Sequence, residues 1–308
     1  FTSRQLLDIV SPANFIPTNP EVLETTLREG GRNLWRGWQF LVEDWEHVLS
    51  EKAPRGCENF RPGMEVAVTP GQVVFRNHLM ELIQYAPQTD QVYCRPLLIV
   101  PAWIMKYYIL DLSPKNSLVR YLVAQGHTVY IISWRNPSAE DRDLGMDDYL
   151  QLGALAALDQ VRRREQNQRV NVVGYCLGGT LLTILASWLA QQQRDDLASI
   201  SLLAAQTDFT ESGELRLFID ESQLDYLDDV MWSQGYLDSR RMAGAFQLLR
   251  SRDLVWSRVV NHYLLGKQAP VTDLMAWNAD STRLPYRMQS EYLRKLFLGN
   301  DFFEGRYR

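Results

Sequence analysis

The chain of 308 residues carries 32 Lys and Arg against 37 Asp and Glu, a formal net charge of −5, with 46% hydrophobic and 22% charged residues. That length and balance suit a globular protein with one large domain, or one domain plus a smaller attachment, and they give no electrostatic reason to expect nucleic acid as a partner. The three cysteines, at 57, 94 and 176, make neither a disulfide framework nor a CxxC zinc pair, so a reducing cytoplasm is the expected setting and no metal is expected.

Residues 1–60 read as helical and aromatic. Leu34, Trp38, Leu41, Trp45 and Val48 recur at spacings of three and four, which lays an apolar stripe along one helix; its default meaning is packing against the rest of the protein, and the alternative is an exposed stripe that touches a partner or a hydrophobic particle. Met64–Thr69 and Gln72–Arg76, separated by Pro70-Gly71, read as a hairpin of two short strands. From Val92 the pattern changes to buried strands alternating with helices: strands at Val92–Val100, Thr128–Ser133, Arg169–Val173 and Ser199–Ala204, helices at 113–125, 147–166 and 179–192. Near-continuous apolar strands alternating with helices predict an α/β fold whose parallel sheet is covered on both faces. The apolar runs are broken by Pro101 and Lys106 or are too short to cross a bilayer, so no transmembrane segment is expected. The sequence starts at Phe1 and not at Met, which leaves a preceding segment open.

After about Asp208 the sheet signal fades. Residues 208–300 are rich in Trp, Tyr, Leu and acidic residues and hold helical patterns such as Met242, Phe246 and Leu249. An insertion of this size between core strands is expected to form a lid over the site. The expected organisation is therefore a helical N-terminal region (1–60), an α/β core (61–207) and a helical lid or cap (208–308).

The densest chemical signal lies where Val170-Asn171-Val172-Val173 runs into Gly174-Tyr175-Cys176-Leu177-Gly178-Gly179 and then into an apolar helix start. A thiol at the tip of a tight strand-to-helix turn, with glycines two positions to either side, matches the nucleophile elbow of α/β-hydrolases, with Cys176 where serine more often sits. A helix N-terminus favours negative charge, so the thiolate is expected to be stabilised there. The N–H of Leu177 is expected to form half of an oxyanion hole. Cys57 and Cys94 read as bystanders.

These residues resemble a family. Gly174-Tyr175-Cys176-Leu177-Gly178-Gly179 is similar to the G-x-C-x-G-G lipase-like box of polyhydroxyalkanoate (poly-beta-hydroxybutyrate) synthases. So are Lys106-Tyr107-Tyr108-Ile109-Leu110-Asp111-Leu112, Ser117-Leu118-Val119-Arg120, Gly126-His127-Thr128-Val129, Ser133-Trp134-Arg135-Asn136-Pro137 and Trp277-Asn278-Ala279-Asp280-Ser281-Thr282, in the family's order from about Ser11 to the last residue. The resemblance implies an α/β-hydrolase fold and an acyltransferase, with Cys176 as acyl carrier. The reaction would condense (R)-3-hydroxyacyl-CoA into polyester and release CoA. The N–H of Ile104, in the loop Pro101-Ala102-Trp103-Ile104 after the first central strand, is the candidate second oxyanion donor beside Leu177. Family members tend to read Pro-Pro-x-Ile-Asn-Lys here, against Ala102 and Met105 in this chain.

The family places its triad Asp and His well downstream of the lid, so both are expected beyond Arg308, with the last core strands. The chain is then a fragment that should not polymerise by itself. His262, the one histidine after Cys176, reads as a lid-helix residue, and Asp208 is the best placed carboxylate, although the family does not assign it the role. The resemblance implies a cytoplasmic, polymer granule-associated protein that meets the growing polyester chain and forms a homodimer when complete, with no cofactor. Two other functions fit the same residues: a thiol esterase or hydrolase that admits water to the acyl-enzyme, and a catalytically silent granule-associated partner.

Overall fold

The computed structural model describes residues 2–50, 53–238, 251–268, 270–280 and 282–307. Met242, Phe246 and Leu249, and Ser281 of the Trp277–Thr282 motif, lie outside the described residues. The chain divides into two compact units, one of Phe1–Asn59 with Arg240–Ala279 and one of Phe60–Ser239 with Asp280–Arg308. The stretch 208–308, expected as one lid, is thus shared between the two.

In the first unit, helices α1 (Thr2–Ile9), α2 (Pro20–Glu29) and α3 (Arg32–Leu49) follow one another. The Asn19 side chain caps α2 by accepting the N–H groups of Glu21 and Val22, and Gly30 at φ 58° ends it. α3 lies on the π-helical segment Val259–Leu264, backbone against backbone. A Cβ on Gly37 would sit 1.7 Å from the Tyr263 carbonyl oxygen. Beside it Asn33, fully buried, donates to the Leu264 carbonyl at 2.8 Å and to Thr26 Oγ1 at 3.0 Å. The buried residues of α3 are therefore Asn33 and Gly37, and the apolar stripe expected to be packed faces outward, with Trp38 57% and Trp45 64% exposed. The close approach of two backbones selects small and polar residues at the contact, and the tryptophans are left exposed.

The second unit is built on a six-stranded sheet. Its strands are β1 (Gly71–Arg76), β2 (Met80–Tyr85), β3 (Leu97–Val100), β6 (Val129–Trp134), β7 (Val170–Tyr175) and β8 (Leu197–Leu203), in the order β1-β2-β6-β3-β7-β8; β4 (Asp111–Ser113) and β5 (Asn116–Ser117) form a separate small ladder. β6, β3, β7 and β8 run parallel, and β1 and β2 are antiparallel additions at one edge. Helices α4 (Leu118–Ala124), α5 (Met146–Asp148), α6 (Ala156–Arg164) and α7 (Leu177–Gln191) fill the connections, with a π-helical stretch, Tyr149–Leu155, joining α5 to α6. All four residues of β3 are buried, and Ile99 packs with Val119, Val123, Ile131 and Val173. Each such aliphatic side chain contributes roughly 1.5–3 kcal/mol on leaving water. Among the described residues no helix is long and apolar enough to cross a membrane.

The hairpin falls elsewhere than expected. Residues 64–69 form no strand, Val66 making only an isolated bridge to Pro62, and Gly71 opens β1 instead of closing a turn. The tight connection is at Asn77, whose Oδ1 accepts the N–H groups of Leu79 and Met80 at 2.9 Å each and sends the chain back as β2. Thr69 is drawn away from strand pairing by Asp111, which accepts from both its hydroxyl and its amide.

Candidate active site

β7 ends at Tyr175 and α7 begins at Leu177, so Cys176 alone makes the corner, at φ 54° and ψ −128°. A non-glycine residue held there stores on the order of 1–3 kcal/mol of strain. Its own N–H is anchored on the Leu203 carbonyl of β8 at 2.9 Å. The glycines follow from space. A Cβ on Gly174 would lie 2.3 Å from Gly179 Cα, and one on Gly178 would lie 2.1 Å from the Val100 carbonyl oxygen. The turn closes only if strand, helix and the end of β3 touch through bare backbone.

Because Val100 pairs with Gly174, the loop after β3 leaves the sheet beside the elbow. Two buried side-chain donors pin that loop: Trp134 Nε1 donates to the Pro101 carbonyl at 2.9 Å, and Thr282 Oγ1 donates to the Trp103 carbonyl at 2.9 Å. Asp280, two residues earlier, accepts from the Tyr108 hydroxyl at 2.8 Å and lies 3.8 Å from the Lys106 ammonium. An aromatic group surrounds this end of the sheet. The Trp103 ring centroid lies 6.1 Å from that of Tyr292 and 6.0 Å from that of Tyr149, and Phe209 lies 6.1 Å from Tyr292. The Tyr292 phenol is pushed up by burial and further by the Cys176 charge, which places it close to the thiol.

Burial also pushes the Cys176 thiol above its ordinary value, and the neighbouring Leu177 amide, acting the other way, offsets only part of this. The expectation of a stabilised thiolate is corrected: desolvation disfavours the charged form more strongly than the helix end favours it.

Residues 1–122 match the family described as Poly-beta-hydroxybutyrate polymerase (PhaC) N-terminus, and residues 95–301 match the alpha/beta hydrolase fold family. The chain belongs to the alpha/beta hydrolase fold family. It is 47% identical to a poly(3-hydroxyalkanoate) polymerase of Methylorubrum extorquens over 99% of this chain and 51% of that one. It is 39% identical to the poly(3-hydroxyalkanoate) polymerase subunit PhaC of Rhizobium meliloti (99% and 50%) and to that of Cupriavidus necator (98% and 52%). The chain spans about half the length of these polymerase relatives.

In this α/β-hydrolase chain three of the four histidines have partners away from the elbow. His262 stacks on Phe40 at 4.5 Å and faces Asp44 at 3.8 Å in the first unit. His78 bonds Asp141 at 2.7 Å, and His127 lies against Tyr93. His47 sits in the last turn of α3. Asp208 is taken up in a turn, where the Thr210 hydroxyl and amide and the Asn300 side chain hold its carboxyl below the usual range. Among the described residues no group of three His, Cys, Asp or Glu is arranged to hold a metal ion. Sequence reasoning missed Tyr292, Phe209 and Thr282 as neighbours of the elbow and its loop. Only Thr282 carried a signal, as the last residue of the Trp277–Thr282 motif.

Proposed function

We propose that the chain carries the acyl-transfer centre of a polyester synthase, which condenses (R)-3-hydroxyacyl-CoA into polyhydroxyalkanoate through a cysteinyl acyl-enzyme. The observation that carries the reading is Cys176 alone at the strained corner between β7 and α7, with the Leu177 amide beside its sulfur. Support comes also from the polymerase names of the relatives. In the proposed step the deprotonated Sγ attacks the thioester carbonyl, and the carbonyl oxygen takes up the electron pair as an oxyanion facing the Leu177 and Ile104 amides. The C–S bond to CoA then breaks, CoA leaves as a thiol with the proton taken from Cys176, and the acyl group stays on Sγ. One thioester is exchanged for another, so the acyl group stays activated for the hydroxyl of the next unit. A half-buried thiol with a raised pKa makes the base essential, and the family resemblance assigns that base and its carboxylate partner to residues beyond Arg308.

The same proposal covers the partners. The outward apolar face of α3, with Trp35, Trp38 and Trp45 each more than half exposed, supports contact with the polyester surface of a granule. Homodimer formation rests on the resemblance. The test is radiolabelled 3-hydroxybutyryl-CoA given to the complete gene product and to its Cys176→Ala variant. We expect labelled protein and polymer from the first, and a rate lower by at least about 10⁴-fold from the second, as for loss of a nucleophile. Polymer from the Cys176→Ala variant would refute the role of the thiol, and release of free 3-hydroxy acid in place of polymer would identify a hydrolase.

A further inference from the structure

The loop that carries the proposed second oxyanion donor is held by a residue more than 170 positions away. Thr282 is fully buried, and its hydroxyl donates to the Trp103 carbonyl at 2.9 Å. The Trp103 carbonyl and the Ile104 N–H are the two ends of one peptide group. That group is planar and trans, so its oxygen and its hydrogen point in opposite directions, and fixing the first aims the second. No acceptor among the described residues takes the Ile104 N–H. Ile104 is half-buried on the loop that leaves β3 beside the elbow, so this N–H is open to a ligand there.

We infer that Thr282 is a positioning residue for acyl transfer, orienting the Trp103–Ile104 peptide so that its N–H meets the thioester oxygen. The inference rests on the reading of Cys176 as acyl carrier given above. Donation into the carbonyl also polarises the peptide, which makes its N–H a better donor to a developing negative charge. The neighbouring bonds make the loop stiff enough for this to matter. Trp134 fixes the Pro101 carbonyl two residues before, and Asp280 ties Tyr108 and Lys106 after it. The motif around Asp280 and Thr282 therefore acts as a strap across the base of the loop, and its chemistry is exerted through Ile104 and not on the substrate itself.

The test compares two reactions of the same sulfur in the complete gene product. Acylation by 3-hydroxybutyryl-CoA, followed as CoA release in a single turnover, builds up an oxyanion. Alkylation of Cys176 by iodoacetamide, followed by peptide mass spectrometry, forms an S–C bond as iodide leaves and builds up none. Removing an oxyanion donor outright costs about 10²–10³ in rate, so loss of its positioner in Thr282→Val is expected to slow acylation by about ten- to a hundredfold, in kcat more than in KM. The alkylation rate should stay within about twofold of the wild type. Thr282→Ser keeps the hydroxyl and should acylate near the wild-type rate. Thr282→Ala, which leaves at least as large a gap as Ser, should acylate like Thr282→Val, so the Ser and Ala pair gives the answer even if the valine variant does not fold. Equal acylation by the Ser and Ala variants, or a parallel fall of acylation and alkylation, would overturn the inference while leaving the acyl carrier in place. A wild-type protein that never becomes acylated would overturn both.

Discussion

At Cys176 two local effects oppose each other, and burial wins. The thiol stands at a helix N-terminus, where amides favour an anion, yet its side chain is withdrawn from water and its pKa rises. Alkylation by iodoacetamide follows the thiolate, so in the 308-residue chain its rate should be low at neutral pH. It should climb with rising pH through a midpoint above about 8.5, the value of a free cysteine. A midpoint below that, read from the pH dependence of Cys176 alkylation, would mean that the Leu177 amide outweighs desolvation. The elbow was legible in the sequence because its constraint is local: Gly174 and Gly178 are fixed by atoms within a few residues or at the end of the adjacent strand. Tyr292 and Thr282 were not, since each reaches the site only once the sheet and the segment after Asp280 have folded together. The sign of the thiol's shift was equally hidden, because burial is a property of the packed molecule and the helix end is a property of the sequence.

Among the elements, those buried on both faces were the easiest to read. β3, β6 and β7 are short apolar runs with one interpretation, and the structure has them within a few residues of their expected bounds, apart from Val92 to Pro96, which precede β3. The hairpin was misplaced because Pro70-Gly71 looks like a turn, while the operative signal was the Asn77 side chain. α3 misled in another way. Its large residues form a regular stripe, but the face that packs is the one bearing Gly37 and Asn33. The tight approach to Val259–Leu264 yields a direct expectation. A methyl at position 37 cannot coexist with the Tyr263 carbonyl, whose oxygen would be 1.7 Å away, and since both atoms belong to backbone the helices must separate. Gly37→Ala should destabilise the first unit by about 3 kcal/mol, the upper end of ordinary overpacking. It should appear as a lower midpoint for the unit's urea transition in tryptophan fluorescence, α3 holding three tryptophans. An unchanged midpoint would show that the two helices are not packed as described.

Across the whole molecule, the sheet ends in two unlike edges. β1 at one side is mostly exposed and carries Arg76, ion-paired with Glu81. β8 at the other side reads Leu-Ala-Ser-Ile-Ser-Leu-Leu, has no charge and no proline, and leaves Ile200, Leu202 and Leu203 about two-fifths exposed. An uncharged apolar edge with free backbone groups is a template for another strand, and proteins that expose one usually guard it with Lys or Pro. In the isolated 308-residue chain that partner strand is expected to be a second copy, so the chain should associate and scatter light on standing. Leu202→Lys should suppress this. The choice of lysine separates two causes, because it brings the net charge from −5 to −4, and a smaller net charge by itself favours association. If colloidal repulsion were in control, the variant would aggregate more. If the β8 edge is in control, size-exclusion and light-scattering measurements will show more monomer, with Cys176 alkylation unchanged because the substitution leaves the elbow intact. More aggregation, or no change, would remove the edge as the cause.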